Sequence, residues 1–348
     1  MSAFGFDFAY KVRRLAVCLP VASSVFATPA LAASYTYTQL GNPGGQITAE
    51  ALDNQDRVVG YIFPSGSSYT IGIYWTNGSP TLVPNVGALD AIDNGVAAGR
   101  TGSINQPWNR KKYIIYKLGS KNAKNYRNTT PDQLLLVKGI SSDNTVVAAA
   151  GANHVRTSQA IYLQGKSGLA LEPPGYAGAA YPEMISDDGT VGGYFFNGGA
   201  YAPCFTYKNG AYTTFAPPDP YDEFCSVNAI TSDGTIYGTY DSIYTHLSYG
   251  YELRNGNYTY YSYGTEGMLL VGVSAAGVIG GNHGVSIQGR GTEQAFVIIN
   301  GTAYDIIVPG KSYSTLIAVN ANGSLLLSTD FDTNYYVAQC PTGEVCTQ

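Results

Sequence analysis

Met184–Tyr194 reads MISDDGTVGGY: an apolar strand end, a polar turn, then a second apolar strand that finishes in small residues. The unit recurs as LDNQDRVVG from Leu52, IDNGVAAG from Ile92, ISSDNTVVA from Ile140, ITSDGTIYG from Ile230, VSAAGVIGG from Val273 and VNANGSLLL from Val319. Its turn positions are Asp56, Gly95, Asn144, Gly189, Gly234, Gly277 and Gly323, a step of about 45 residues that marks a repeat array. One such unit has no way to bury its own apolar face, so it must stack on neighbours. A second turn follows each first one, at Gly78, Gly119, Gly165, Gly210, Gly256, Gly301 and Gly343, which gives every repeat two hairpins. In the fourth repeat the expected strands are Glu183–Ser186, Thr190–Tyr194, Cys204–Tyr207 and Ala211–Ala216.

Composition agrees with this reading. The chain has 30 tyrosines, which favour strands, and 42 glycines, which supply turns needing positive φ. Runs rich in Tyr, Val, Ile and Phe are broken by Asn-Gly and Asp-Gly, the expected hairpin signals. No stretch after the leader sustains a helical period. The fold class is therefore all-β: a seven-bladed β-propeller with four antiparallel strands per blade. A β-helix is the alternative, with shorter coils than these double hairpins. The strand ending at the polar turn is expected innermost, and the small residues of VVG, VGG and VIGG are expected to let blades approach closely. Tyr35–Leu40, YTYTQL, reads as an outer strand without a blade; the last repeat, Leu316–Gln348, would receive it. Glu344–Gln348 is the other candidate for that place.

Lys11, Arg13 and Arg14 precede an apolar run, Leu15–Ala27, that leads into Pro29-Ala30-Leu31-Ala32. This has the form of a signal peptide over residues 1–32, cleaved before Ala33, leaving a single propeller domain over 33–348. The run is too short to cross roughly 30 Å of hydrocarbon, so no membrane span is expected in the mature chain, and the protein is expected to be secreted or periplasmic. Charged residues make up 12% and the net charge is −5, which leaves no basic footprint for nucleic acid. Beyond the leader stand Cys204, Cys225, Cys340 and Cys346, an even set in a compartment that permits disulfides. Cys340 with Cys346 and Cys204 with Cys225 are the expected bridges. Zinc would want Cys-x-x-Cys or paired histidines, which are absent, and no cofactor signature is present.

The pattern [Ile/Val]-x-x-[Asp/Asn]-Gly-x-[Val/Ile]-x-Gly, with an aromatic strand and a closing Asn-Gly hairpin, resembles the HAF-type extracellular repeat. Tyr37-Thr-Gln-Leu-Gly-Asn-Pro-Gly-Gly followed by Ala49–Asn54 is the best match. The resemblance covers essentially the whole mature chain and implies a secreted bacterial propeller-like protein with no general activity attached. Repeats two and six depart from it. Pro107–Lys112 is unusually basic, and Val273–Ala276 lacks the acidic turn.

On a propeller, the loops joining strands two and three share a face with the connections between blades, and sites usually lie there. His154, His246 and His283 fall in such loops. His246 and His283, on adjacent blades, with Tyr244 and Arg290 nearby, form the set a polysaccharide lyase needs to neutralise a uronate and abstract its proton. The plainer reading is three unconnected loop histidines. Carboxylates for glycoside hydrolysis do not converge: Asp219, Asp222 and Glu223 share a long connection, while Glu183 opens the inner strand of blade four near the channel mouth. Asp53, Asp93, Asp143, Asp187 and Asp233 read as turn residues bonding their own backbone. Asp330-Phe-Asp332-Thr-Asn334 resembles a calcium loop but has Tyr335 where glycine belongs, so no metal is expected. Tyr244, Tyr249, Tyr251, Tyr258, Tyr260, Tyr261 and Tyr263 crowd one repeat, suited to stacking on sugars or to packing between blades. The expected function is binding of an extracellular glycan or protein by a monomer, through Trp108, His154, Tyr249, Arg254 and Glu293. The alternative is a lyase.

Overall fold

The computed structural model describes residues 33–101, 112–126, 134–151, 158–164, 167–172, 180–195, 203–216, 222–242, 245–284, 293–329, 334–340 and 346–347. The leader read at 1–32 lies outside them. Among the described residues no helix is long and apolar enough to cross a membrane. Seven four-stranded antiparallel sheets form, each pairing its strands in sequence order from inside to outside, apart from the outer strand of the last. The first strands are Gly45–Leu52, Ala88–Asp93, Leu134–Ile140, Ala180–Ile185, Asp222–Ile230, Met268–Val273 and Thr315–Val319. Each touches the next and the last touches the first, so they form the inner ring of a seven-bladed propeller.

The turn after each first strand sits where the repeat places it. Asp56, Gly95, Asn144, Gly189, Gly234, Gly277 and Gly323 all have φ between 57° and 85°, which favours Gly, Asn and Asp. Aspartate side chains close several of these turns: Asp143 Oδ1 accepts the Thr145 N–H at 2.9 Å and Asp233 Oδ1 that of Thr235 at 3.1 Å. In blade four the bonding residue is Asp188, one position beyond the expected Asp187, with its Oδ1 3.0 Å from the Thr190 N. Asn77, Asn209, Asn255 and Asn300, each followed by glycine, likewise take positive φ at the outer hairpins.

Tyr35–Leu40 closes the ring as expected. Thr36–Gln39 pairs with Asn334–Gln339 as the outer strand of the last blade. Cys346–Thr347 instead pairs in parallel with Ala33–Ser34, so the C-terminal segment straps the N-terminal one. The seam is finished by hydrogen bonds between turns of the last and first blades, including Asn320 Nδ2 to Asp53 O and Ala321 N to Asn54 Oδ1.

Both disulfides form as expected, Cys204–Cys225 with Cα atoms 5.5 Å apart and Cys340–Cys346 at 5.7 Å. The first joins the third strand of blade four to the first strand of blade five. It is a buried staple between blades, packed with Val227 and Tyr251. The Tyr251 hydroxyl lies 3.6 Å from each sulfur and donates to Ser226 O at 2.8 Å. Replacing both Cys204 and Cys225 with alanine is expected to lower stability by about 3 kcal/mol, from the loop-closure entropy alone. Urea unfolding of the double variant checks this, and a loss under about 1 kcal/mol would contradict it.

Candidate functional site

Every first strand carries a one-residue slip against its partner, and that of blade five carries a second, at Glu223. The extra residues are Glu50, Asp90, Lys138, Glu183, Asn228, Val271 and Ile317. A bulge re-aims its side chain, and bulges concentrate near functional sites. Here the slip sets one side chain per blade at the inner edge. Gly60, Gly99, Gly193, Gly238 and Gly281 lie beside these bulges on the second strands. A Cβ on them would stand 1.9–2.4 Å from a carbonyl oxygen of the first strand. The second glycine of VGG thus answers to its own blade. The first, at Gly192 and Gly280, meets Val227 and Val319 of the next blade, as the sequence suggested.

The residues following the bulge glycines form a second tier: Tyr61, Arg100, Tyr194, Thr239 and Asn282. In the later blades this tier latches the inner ring. Asn282 Oδ1 accepts the Leu316 N–H at 2.7 Å and its Nδ2 donates to Leu316 O at 2.9 Å. The Thr239 Oγ1 accepts the Leu270 N–H at 3.0 Å. Glu183 serves blade five in the same way, its Oε2 accepting the Val227 N–H at 2.6 Å. The earlier blades carry charge instead. Arg100 Nη2 lies 3.3 Å from Asp90 Oδ1 in a pair whose side chains are 5% and 9% exposed. Burial, with Asp90 adding, pushes the Glu50 carboxyl up to about 7 against the pull of Arg100 and Lys138. Burial likewise pushes Glu183 up to about 7, against the Val227 N–H and Lys138. Lys138 thus faces both glutamates, and the belt is charged over blades one to four and neutral over the rest.

Aromatic rings stand beside Glu183. Tyr181 and Tyr194 stack at 4.9 Å and 8°, and Phe224 of blade five meets Tyr194 edge-on at 6.4 Å. Phe224 remains 43% exposed. Burial, with Glu183 adding, pushes the Tyr194 hydroxyl up to about 12. A second group, Tyr240, Tyr249 and Tyr260, lies farther out on blade five, with Tyr249 stacked on Tyr240 at 5.4 Å. Tyr258 joins blades, its hydroxyl donating to Ala216 O at 2.8 Å.

His283 ends the second strand of blade six. Its Nδ1 lies 2.6 Å from Glu266 Oε2 and its Nε2 3.0 Å from Asp305 Oδ1. The Tyr263 ring stacks on it at 3.8 Å, and the Tyr263 hydroxyl donates to the same Asp305 oxygen at 2.5 Å. Both ring nitrogens are occupied, and the assembly pins the connection between blades five and six to the outer strand of blade six. His246 is exposed in a turn, with φ of 54° and its N–H on Ser242 O. Tyr249 donates to Thr245 Oγ1 at 3.0 Å, while Glu293 adjoins the start of the third strand of blade six. Arg254 stands at the other end of its blade, beside the Asn255-Gly256 hairpin, where its Nε lies 3.2 Å from Glu252 Oε1. The structure therefore separates Arg254 from His246. Trp108, His154, Tyr244 and Arg290 lie outside the described residues, as do Asp330 and Asp332. Among the described residues no three His, Cys, Asp or Glu side chains are grouped for a metal.

Sequence reasoning reached Glu183 but missed Glu50, Asp90, Arg100 and Lys138. The signal was in the repeat: the bulge residue stands two positions before each unit, at Leu52, Ile92, Ile140, Ile185, Ile230, Val273 and Val319. Reading that column across the units gives Glu, Asp, Lys, Glu, Asn, Val and Ile.

No protein-family model matches the chain, and no curated protein matches it by sequence. Solved structures do. The β-propeller domain of the Trilobed protease from Pyrococcus furiosus is similar over 88% of this chain and 96% of its own, at a TM-score of 0.61 and 7% identity. A catalytically inactive virginiamycin B lyase from Staphylococcus aureus with quinupristin is similar over 88% of this chain and all of its own, at 0.56 and 12%. The WD40 β-propeller domain of Doa1 covers 88% of this chain and 98% of its own, at 0.56 and 11%. At such identities what is shared is the fold, and this chain is a β-propeller as they are.

Proposed function

We propose that this chain is an exported β-propeller binding protein that takes a glycan at the loop end of its channel, on the rings of Tyr181, Tyr194 and Phe224 beside Glu183. The observation that carries the reading is Phe224, a large ring 43% exposed near the start of the first strand of blade five, set edge-on to a stacked tyrosine pair. Flat apolar faces stack on the C–H faces of sugars while hydroxyls and a carboxyl take the polar edges. A carboxyl held near neutrality serves sugar hydroxyls as donor or acceptor. Export fits the two disulfides, which persist in oxidising compartments, the leader of residues 1–32, and the resemblance to the HAF-type extracellular repeat.

The propellers similar to this one include a lyase and a WD40 domain, so the architecture serves catalysis and binding alike. Binding is favoured because neither candidate base offers a free nitrogen in an enclosed site: both nitrogens of His283 are held by carboxylates, and His246 is exposed in a turn. In size-exclusion chromatography of residues 33–348 with a panel of acidic and neutral polysaccharides, at least one polymer is expected to co-elute unshortened. Phe224→Ala is expected to weaken that binding about tenfold, some 1.4 kcal/mol. Shortening of a polymer, or affinity unchanged by Phe224→Ala, would overturn the reading.

A further inference from the structure

Arg100 holds the second-tier position that Thr239 and Asn282 hold in blades five and six, yet it latches nothing. Its Nη2 is shared with Asp90, while Nε and Nη1 have no hydrogen-bond partner among the described residues, on a residue 4% exposed. A guanidinium stays charged at any pH the protein meets. Each buried donor left unsatisfied costs about 1–3 kcal/mol, so such an arrangement is expected where a ligand completes the set. Lys138, exposed on the inner edge of the next blade, adds a second cation on the same side of the channel. Asp90 balances only one of the two. Glu50 and Glu183, both held near neutrality, leave a cation in excess while they keep their protons.

We propose that Arg100 and Lys138 form a carboxylate-binding subsite of the channel, and that the glycan is therefore acidic, a polymer bearing uronate residues. The proposal rests on the glycan reading above and names its substrate class. Guanidinium and carboxylate match in planar geometry and form charge-assisted hydrogen bonds about twice as strong as neutral ones. With Arg100 in blade two, Lys138 in blade three and the rings of Tyr181, Tyr194 and Phe224 in blades four and five, a polymer lying across the mouth meets charge on one side and stacking faces on the other.

The test uses polygalacturonate, alginate and hyaluronate, each against its carboxyl-reduced form, titrated calorimetrically into the protein. At least one acidic polymer is expected to bind tenfold or more tightly than its reduced form. Arg100→Gln is expected to abolish that preference, and Lys138→Gln to reduce it several-fold. Lys138 is exposed, so its variant carries the test alone if Arg100→Gln fails to fold. Equal binding of acidic and reduced polymers, still sensitive to Phe224→Ala, would overturn the uronate subsite and leave the glycan reading standing. A preference undiminished in a folded variant of either residue would also overturn the subsite. Binding of no polymer at all would overturn both.

Discussion

Gly238→Ala is expected to destabilise the propeller by about 4 kcal/mol or more, the range reserved for steric conflict at a special backbone site. The added Cβ would stand 1.9 Å from Ser226 O and 2.5 Å from the ring end of Tyr251. Neither can yield. Ser226 O accepts the Tyr251 hydroxyl at 2.8 Å, and that hydroxyl lies against both sulfurs of the Cys204–Cys225 bridge. Blade three supplies the internal comparison. There the position is Ala148, buried, paired across with Ile161 in place of a tyrosine. A strand pair can therefore open for a side chain where the third-strand residue does not close over the position, and blade seven carries Leu327 there opposite Tyr336. Gly60→Ala, which faces Ile73, is accordingly expected to cost distinctly less than Gly238→Ala. Chemical unfolding of the two variants decides it, and equal costs, or a Gly238→Ala cost below about 1 kcal/mol, would show that the crowding at Tyr251 is unimportant.

That comparison indicates what the sequence could and could not disclose. The turns were legible because positive φ restricts residue choice at one position per hairpin, and the named residues that are described take it, while Gly165 and Gly343 lie outside the described residues. The strands were legible because alternation and small residues recur with the blade. Tyr35–Leu40 was legible as a strand, but its partner was ambiguous until the pairing with Asn334–Gln339 was seen, since both chain ends carry strand-forming residues. The channel side chains were harder to see. Bulge register depends on how two strands slip against each other, and no single residue type marks it, so Lys138 and Asp90 do not stand out by residue type from ordinary surface charges. Arg254 shows the same difficulty. It is close in sequence to Tyr249, but an extended strand carries it to the opposite end of the blade, where it meets Glu252 and Asp233. His283, expected in a loop as a candidate base, ends a strand, and its carboxylate partners come from Glu266 and Asp305, on elements that sequence proximity does not bring together.

Raising the pH from 5 to 9 is expected to lower the stability of the folded chain by about 4 kcal/mol, through Glu50 and Glu183. Each has its folded pKa raised from 4.5 to about 7 by burial. A carboxyl with a raised folded pKa stabilises the fold fully while both states are protonated, below about pH 4.5. That advantage falls as the unfolded chain ionises, and the loss is complete once the folded group ionises above about 7. At 1.36 kcal/mol per unit the shifts would be worth about 3 kcal/mol each; both residues are half-buried, and about 2 kcal/mol each is the figure expected after solvent screening. Asp93, pushed up by burial and by Asp187, acts in the same direction. Asp188, held low against burial by Lys208 and then by the Ser186 and Thr190 hydroxyls, and Asp233, held low by the Thr231 hydroxyl and Thr235, act only at much lower pH. Glu183→Gln keeps an oxygen to accept the Val227 N–H and removes the charge, and Glu50→Gln removes the repulsion from Asp90. The double variant is therefore expected to be more stable than the parent at pH 8 and to show a nearly flat profile from pH 5 to 9. Thermal unfolding across that range would show it. A parent profile already flat would mean that the two glutamates are ionised in the folded chain and that the belt around Arg100 and Lys138 is acidic at neutral pH, a charge balance that would repel a uronate instead of holding it.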